Sequence, residues 1–142
     1  MNKSCKILVL VCGNAEFSED MYDDGYQNIY NIDISENVIK NMKERNENRD
    51  KMFCILKIIL DEVMDVRQIK YADKFFDIAI DKSTIDALLC GDNSFLNVAV
   101  MTKEVQRVLK NGGIYMVISY GAPENRTFHF VNYSFKFSKE NT

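Results

Sequence analysis

Polar residues able to bind a ligand follow four separate apolar runs in this 142-residue chain. If these runs are parallel strands, their carboxyl ends meet at the sheet edge where open α/β sheets bind ligands. The residues at the four ends are Cys12, Gly13 and Asn14, then Asp33, then Asp65 and Val66, and finally Asp81 and Lys82. Gly13 lets the backbone approach a ligand closely, and the helix expected after it favours an anionic group at its N-terminus.

Asp33 follows Gly13 by 20 residues. An acid about 20 residues after a glycine turn is placed to accept hydrogen bonds from ribose hydroxyls. A tight turn and a helix cap explain this pair equally well when the two residues are taken alone. The chain has no G-x-G-x-x-G sequence after the first run, so a nucleotide-dependent oxidoreductase is the least favoured class.

Asp65 is able to accept a hydrogen bond from the exocyclic amine of adenine, with Val66 packed near the ring. The alternative is that Asp65 is a solvated loop acid beside Arg67. A glycine, an acid at the spacing for ribose and a later acid suited to adenine together fit an adenosyl ligand.

The fourth run ends in Asp81 and Lys82, which the functional interpretation places on a rim where a second substrate would lie. The structural alternative is that Asp81 or Asp86 is an acid near the start of the next helix, which Ser83 or Thr84 can cap.

These residues meet at one edge of a sheet only if strands and helices alternate along the chain. We predict strands at residues 6–12, 28–34, within 52–65, at 75–81 and at 114–120, with a sixth candidate at 128–137. We predict helices at residues 15–22, capped by Asn14 and ended by Gly25, after Ser35, at 84–90, and through Val98 to Leu109 with its end at residues 110–113. Such alternation is typical of an α/β fold with a mainly parallel sheet and right-handed crossovers.

Composition excludes several classes of protein. The net charge of −3 and the pI near 5.2 argue against a nucleic-acid partner and make a basic protein an easier one. His129 is the single histidine and the four cysteines form no C-x-x-C pair, so we expect no metal site and a reducing compartment. Apolar runs such as residues 52–60 are too short to span a bilayer, and we expect a cytoplasmic protein without membrane contact.

Six segments resemble motifs of the class I, Rossmann-like S-adenosylmethionine-dependent methyltransferases. The resemblance is closest to the methyltransferase-like group that includes the elongation factor 1-alpha lysine methyltransferases. The segments are residues 8–26, 31–35, 64–67, 81–89, 107–113, and 120–123 followed by Arg126. Of these, residues 81–89 (DKSTIDALL) are the rather specific stretch, and the matches extend from about Lys6 to His129.

The resemblance implies a Rossmann-like three-layer α/β/α sandwich with a mainly parallel twisted sheet, formed by a single domain over residues 1–142. It implies S-adenosylmethionine as cofactor and S-adenosylhomocysteine as product. Gly13, between Cys12 and Asn14, would lie against the methionine part and Asp33 would hold the ribose. Ile34, Asp65 and Val66 would contact the adenine, and Lys82 would line the cofactor pocket.

The resemblance also implies methyl transfer to a protein lysine, with elongation factor 1-alpha as the implied acceptor. The acceptor amine must lose its proton before it attacks, and Asp81 is the candidate for steering that amine. Two alternatives remain open, namely a non-catalytic or truncated binding module with this fold and a small-molecule methyltransferase.

This chain departs from the group at several points. Val11 and Ser83 stand where the group has glycine, and a side chain at Val11 would crowd the cofactor. We expect the domain to be incomplete at both ends, without its N-terminal cap and its last strand. An exposed sheet edge of that kind predicts dimerisation or aggregation, although the sequence does not fix the oligomeric state.

Overall fold

A computed structural model describes residues 2–13, 16–46 and 58–131. These residues form a five-stranded sheet in the order β3-β2-β1-β4-β5, and every neighbouring pair is parallel. The strands are β1 Lys6–Leu10, β2 Asn28–Asp33, β3 Ile58–Val63, β4 Phe76–Lys82 and β5 Leu109–Ile118. The predicted α/β fold with a parallel sheet is therefore confirmed.

Helices cover both faces of the sheet. They are α1 Phe17–Asp23, α2 Glu36–Asn46, α3 Thr84–Leu89, α4 Ser94–Val108 and α5 Pro123–Thr127, followed by a 3₁₀ turn at Phe128–Phe130. On one face, Leu8 and Leu10 pack in a core with the apolar sides of α3 and α4. On the other face, Ile7 and Val9 pack in a core with residues of α1 and α2. Alternate residues of one strand thus feed opposite cores, which gives the predicted three layers.

The strand order reverses at β1, which lies between β2 and β4. Leu10, the last residue of β1, is in register with Ile32 of β2 and with Asp81 of β4. The carboxyl ends of these strands therefore lie side by side. Such a switch point is where open α/β sheets bind ligands.

The first helix ends as the sequence predicts. Gly25 has a φ of 96°, and its N–H donates to the Tyr22 carbonyl at 2.9 Å. The N–H of Tyr26 donates to the Met21 carbonyl at 3.0 Å. This pair of bonds is the Schellman arrangement, which needs a left-handed residue at the position of Gly25. The helix begins at Phe17, and the predicted cap, Asn14, lies outside the described residues.

Several predicted boundaries are wrong, including both ends of the fifth strand, which was predicted at residues 114–120 and is Leu109–Ile118. Strand β1 stops at Leu10 because Val11 has a φ of 46°, which no strand residue adopts. The long helix stops at Val108, and residues 110–113 belong to β5 instead of ending the helix. Phe76 pairs with Leu109 and Ile78 with Ile114, so β5 bulges here to hold the extra residues.

The sixth predicted strand is wrong in its described part. Residues 128–130 form a 3₁₀ turn that buries Phe130, whose ring lies 5.7 Å from that of Tyr115. The rest of that segment, and residues 52–57 of the long apolar run, lie outside the described residues. Across residues 2–13, 16–46 and 58–131, no helix is long and apolar enough to cross a membrane. The same residues contain no cluster of three ligating side chains for a metal ion.

Candidate cofactor and acceptor site

Asp33 joins the loops that follow β1 and β2. Its Oδ2 accepts a hydrogen bond from the Gly13 N–H at 3.1 Å, and its Oδ1 accepts one from the Ser35 N–H at 2.9 Å. Asp33 is only 4% exposed, so these bonds fix the orientation of the carboxylate. Each oxygen keeps a further lone pair for a ligand hydroxyl. The two residues that the 20-residue spacing linked are thus in direct contact, while the ribose role of Asp33 stays a prediction.

The turn after β1 has an unusual backbone. Gly13 has a φ of 56° and Val11 a φ of 46°. Glycine adopts this region freely, whereas for a β-branched residue it is an outlier. Between them, the Cys12 N–H donates to the Ile32 carbonyl at 3.1 Å and holds the turn against β2.

The Cys12 thiol is a buried, protonated group. Burial raises the pKa of Cys12 to about 12, and the nearby carboxylates of Asp33 and Asp61 act in the same direction. A protonated thiol is a poor nucleophile. Cys12 therefore shapes the turn by packing, and the predicted contact of Cys12 and Asn14 with a cofactor stays a prediction.

Ile34 follows Asp33 directly and is 64% exposed. Val63, at the end of the neighbouring strand β3, is 44% exposed. The Met64 N–H donates to the Asp33 carbonyl at 2.8 Å, so the ends of β2 and β3 are tied together. Exposed apolar side chains beside a buried carboxylate suit a ligand with one flat apolar part and one hydroxylated part.

Asp65 pairs with Arg67. The Asp65 carboxylate accepts from Nη2 of Arg67 at 2.6 Å and from its Nε at 3.0 and 3.1 Å. These side-chain hydrogen bonds from Arg67 lower the pKa of Asp65. Val66 is 5% exposed and packs in the core with α4. The structure therefore fits the alternative in which Asp65 is a loop acid beside Arg67. The adenine contacts of Asp65 and Val66 stay predictions.

Asp81 does not lie on the rim, which corrects the functional interpretation of its position. The residue is fully buried, and its Oδ1 accepts from the Thr84 N–H at 2.7 Å. Both carboxylate oxygens also lie within 3.3 Å of the Ile85 nitrogen, and the Tyr115 hydroxyl donates to Oδ2 at 3.1 Å. Burial raises the pKa of Asp81, although these hydrogen bonds oppose the shift.

The carboxylate of Asp81 therefore caps α3, as the structural alternative proposed for an acid near that helix. Neither expected cap supplies the bond: Ser83 makes no capping hydrogen bond and has a φ of 66°, and the Thr84 hydroxyl donates to the Leu10 carbonyl. Lys82, the last residue of β4, is exposed. The steering role of Asp81 and the pocket role of Lys82 stay predictions.

Asp86 organises the loop after β5. Its Oδ1 accepts from the Ser119 hydroxyl at 2.6 Å and from Nη2 of Arg126 at 2.8 Å, and its Oδ2 accepts from the Tyr120 N–H at 3.0 Å. Burial raises the pKa of Asp86, but the bonds from Ser119 and Arg126 outweigh it and the pKa falls below its usual range. Sequence reasoning named Asp86 and Arg126 separately but not this pairing.

Sequence analysis did not predict a buried polar network that joins α1, β2, β3 and α2. The Ser18 hydroxyl donates to Oδ1 of Asn31 at 2.5 Å, and Nδ2 of Asn31 donates to Oδ1 of Asp61 at 2.7 Å. Nδ2 of Asn46 donates to the other oxygen of Asp61 at 3.0 Å. The signal was available, since Asn31 and Asp61 interrupt apolar strands. The network anchors α1, the helix that follows the turn at Gly13.

Known proteins with similar sequences are methyltransferases. The family model described as a methyltransferase domain matches residues 1–139. The eEF1A lysine and N-terminal methyltransferase of Mus musculus is 47% identical over 116 residues, which are 80% of this chain and 16% of that protein. The EEF1A lysine methyltransferase 4 of Mus musculus is 28% identical over 145 positions, covering 96% of this chain and 54% of that protein. The chain thus spans 16% of the length of the first relatives it matches.

Solved structures share the fold. A Pyrococcus horikoshii protein is 31% identical with a TM-score of 0.63, over 82% of this chain and 50% of that one. A structure described as a SAM-dependent methyltransferase from Methanosarcina mazei has a TM-score of 0.72 at 20% identity, over 91% of this chain and 58% of that one. The second likeness concerns the fold alone.

Proposed function

Because this chain belongs to the methyltransferase domain family, we propose that it transfers a methyl group from S-adenosylmethionine to a lysine side chain of a protein. The observation that carries the proposal is the fixed Asp33 carboxylate, held by Gly13 and Ser35 at the switch point of the sheet. The relatives named as eEF1A lysine methyltransferases supply the acceptor class, and eEF1A itself is the first acceptor to test.

The residues present fit an adenosyl cofactor. Asp33 would accept hydrogen bonds from the ribose hydroxyls, because both of its oxygens keep free lone pairs in fixed positions. Ile34 would pack on the adenine with its exposed apolar side chain. Asp65 would accept from the adenine amine while Arg67 holds its carboxylate in place. Gly13 would leave room for the methionine part.

When bound, the cofactor would supply the methyl group: the bond from the acceptor nitrogen to the methyl carbon would form as the bond from that carbon to sulfur breaks, with S-adenosylhomocysteine as the leaving group. The protein's part is to position the amine and to favour its neutral form. A lysine amine loses its proton more readily when it leaves water, because desolvation disfavours the charged form.

Calorimetric titration with S-adenosylmethionine tests the cofactor half of the proposal. We expect micromolar binding by the wild type and at least a roughly tenfold loss in Asp33→Ala, since hydrogen bonds to a charged group contribute about 1.5–3 kcal/mol. Asp20→Ala removes an exposed acid from α1 and is the matched control, which should bind as the wild type does. Absence of binding by the folded wild type would contradict the proposal and favour a non-catalytic module.

Methyl transfer to purified eEF1A, followed by peptide mass spectrometry, tests the acceptor half. We expect a mass increase of about 14 Da per methyl group on a lysine peptide, absent without the cofactor and strongly reduced in Asp33→Ala when the cofactor concentration is limiting. A chain that binds S-adenosylmethionine but methylates neither eEF1A nor other basic proteins would favour the small-molecule alternative.

A further inference from the structure

Tyr120 combines a fixed backbone with a side chain almost wholly in solvent. The residue is 96% exposed, although an aromatic side chain buries about 150–250 Å² when it reaches a core or an interface. It lies two residues beyond Ile118, the last residue of β5. An exposed tyrosine on a mobile loop would not indicate a contact with a ligand. The backbone around Tyr120 must therefore be held in place for its exposure to suggest one.

Both neighbours of Tyr120 are held in place. Ser119 donates to Asp86 and accepts from Nε of Arg126 at 2.8 Å, and the Tyr120 N–H itself donates to Asp86. On the other side, the Arg126 guanidinium lies so close to Gly121 that an added Cβ would sit 2.1 Å from its Cζ. Four hydrogen bonds made by Ser119, Tyr120 and Gly121 and one close packing contact thus fix this loop.

The position of this loop is also specific. Asp33 and Ile34 occupy the half of the carboxyl edge formed by β1, β2 and β3, where the cofactor is proposed to bind. Tyr120 follows β5 in the other half, and Lys82 is in register with Ile118. The loop is joined to β4 as well, because the Ser83 N–H donates to the Ile118 carbonyl at 2.8 Å. If the cofactor binds in the first half, this second half is the part of the carboxyl edge left open for an acceptor.

We propose that Tyr120 contacts the acceptor lysine, with its ring packed against the methylene stem and the amine, and that Asp86, Ser119 and Arg126 are positioning residues for that ring. This inference rests on the proposed function. A cation within about 6 Å of an aromatic ring is attracted by the ring face. Because the ring face attracts the charged amine, Tyr120 acts on the binding and orientation of the acceptor and not on the deprotonation of its amine.

The test compares Tyr120→Ala and Tyr120→Phe with the wild type in the eEF1A methylation assay, alongside S-adenosylmethionine titration of each. Leu96→Ala removes another apolar side chain, 63% exposed on α4, and is the control. We expect Tyr120→Ala to lower kcat/KM for eEF1A about tenfold, mainly through KM, because the variant loses the contact between the ring and the charged amine. Tyr120→Phe should stay within about threefold of the wild type because it keeps the ring.

The outcomes separate this inference from the proposed function. Cofactor affinity unchanged in all variants, with eEF1A methylation lost only in Tyr120→Ala, supports the role of the ring. Full methylation by Tyr120→Ala overturns the role of Tyr120 and leaves the proposed function intact. A wild type that binds S-adenosylmethionine but methylates neither eEF1A nor other basic proteins overturns both. Thermal denaturation checks that the variants are folded. Because the Tyr120 side chain is so exposed, its replacement should leave the stability unchanged.

Discussion

At the scale of single residues, the turn at the end of β1 concentrates the conformational strain of the site. Val11 has a φ of 46° although it is β-branched, and such a residue costs about 1–3 kcal/mol relative to a relaxed backbone. Val11 makes partial contact with the core that contains Leu8 and Leu10. The packing of its side chain and the bonds on either side of it therefore hold a conformation that valine alone would avoid.

Replacing Val11 by glycine should relieve this strain. We expect Val11→Gly to change the free energy of unfolding by less than about 1 kcal/mol, because the relieved strain offsets the lost contacts and the entropy of glycine. Val9→Gly, at a buried position in β1, should lower it by about 3 kcal/mol. Urea denaturation measures both. The affinity for S-adenosylmethionine should rise in Val11→Gly, and equal destabilisation by the two variants would contradict the assignment of strain.

Sequence reasoning reached Asp33 because its partner Gly13 lies at a recognisable spacing. It did not reach the pairing of Asp86 with Arg126, which are 40 residues apart, because no local pattern encodes which side chains meet. Asp81 was placed on the rim for a similar reason. The sequence marks it as an acid after a strand, while its burial depends on how α3 and Tyr115 of β5 pack around it.

At the scale of elements, α3 depends on a carboxylate that is not adjacent to its first residue. Helix N-termini leave backbone N–H groups without partners, and side-chain acceptors satisfy them. Asp81, still inside β4, accepts from the N–H groups of Thr84 and Ile85. The strand and the helix are thus joined by one buried side chain, which fixes the angle between them.

Asparagine should replace Asp81 with little loss, because its oxygen accepts the same N–H groups and its amide can donate to Tyr115. We expect Asp81→Asn to stay within about 1 kcal/mol of the wild type at pH 7, and Asp81→Leu to lose about 2–4 kcal/mol because buried donors are left without partners. Denaturation measures stability. Methylation by Asp81→Asn then decides the steering role, since loss of activity without loss of stability would support it.

The same residue predicts a dependence on pH. Burial raises the pKa of Asp81 in the folded protein, so the folded state binds more protons than the unfolded chain just above the ordinary aspartate pKa. The contribution of Asp81 to stability therefore falls as the pH rises from the ordinary value through the raised one. Asp81→Asn should lack this fall. The stability of Asp81→Asn relative to the wild type should increase with pH across that window. A difference in stability that does not vary with pH would contradict the raised pKa of Asp81.

The elements themselves were largely predictable. Continuous apolar runs predicted β1, β2 and β4, and Gly25 predicted the end of α1. The start of β3 could not be predicted from the apolar run before it. A buried strand and a longer apolar segment show no difference in hydrophobic periodicity that would mark where the strand begins. Residues 110–113 resemble a helix end by composition, yet the pairing of Leu109 with Phe76 draws them into β5. Tertiary pairing thus overrode a local signal.

At the scale of the whole molecule, the sheet has one strongly apolar exposed flank. Within the described residues, β5 pairs with β4 alone. Its exposed positions Ile114, Met116 and Ile118 are 51%, 43% and 44% exposed and alternate with half-buried Tyr115 and Val117. A row of apolar side chains on an edge strand is a surface for self-association.

Light scattering over a range of concentrations should show a mass above that of the monomer for the wild type. The double substitution Ile114→Thr and Met116→Thr should shift the mass towards the monomer, because threonine keeps the strand propensity while removing apolar surface. Val38→Thr on α2, away from β5, is the control. A wild type that stays monomeric at every concentration would contradict the role of this flank.

The buried thiol of Cys12 has a consequence for chemical labelling. Alkylating reagents attack thiolates, and a thiol whose pKa is raised to about 12 stays protonated at neutral pH. Cys90 is exposed at the end of α3, one turn after the Asp86 that holds the Tyr120 loop. Of these two thiols, a maleimide dye would therefore select Cys90. The emission of a dye on Cys90 would report events near the Tyr120 loop while leaving the turn at Gly13 unmodified.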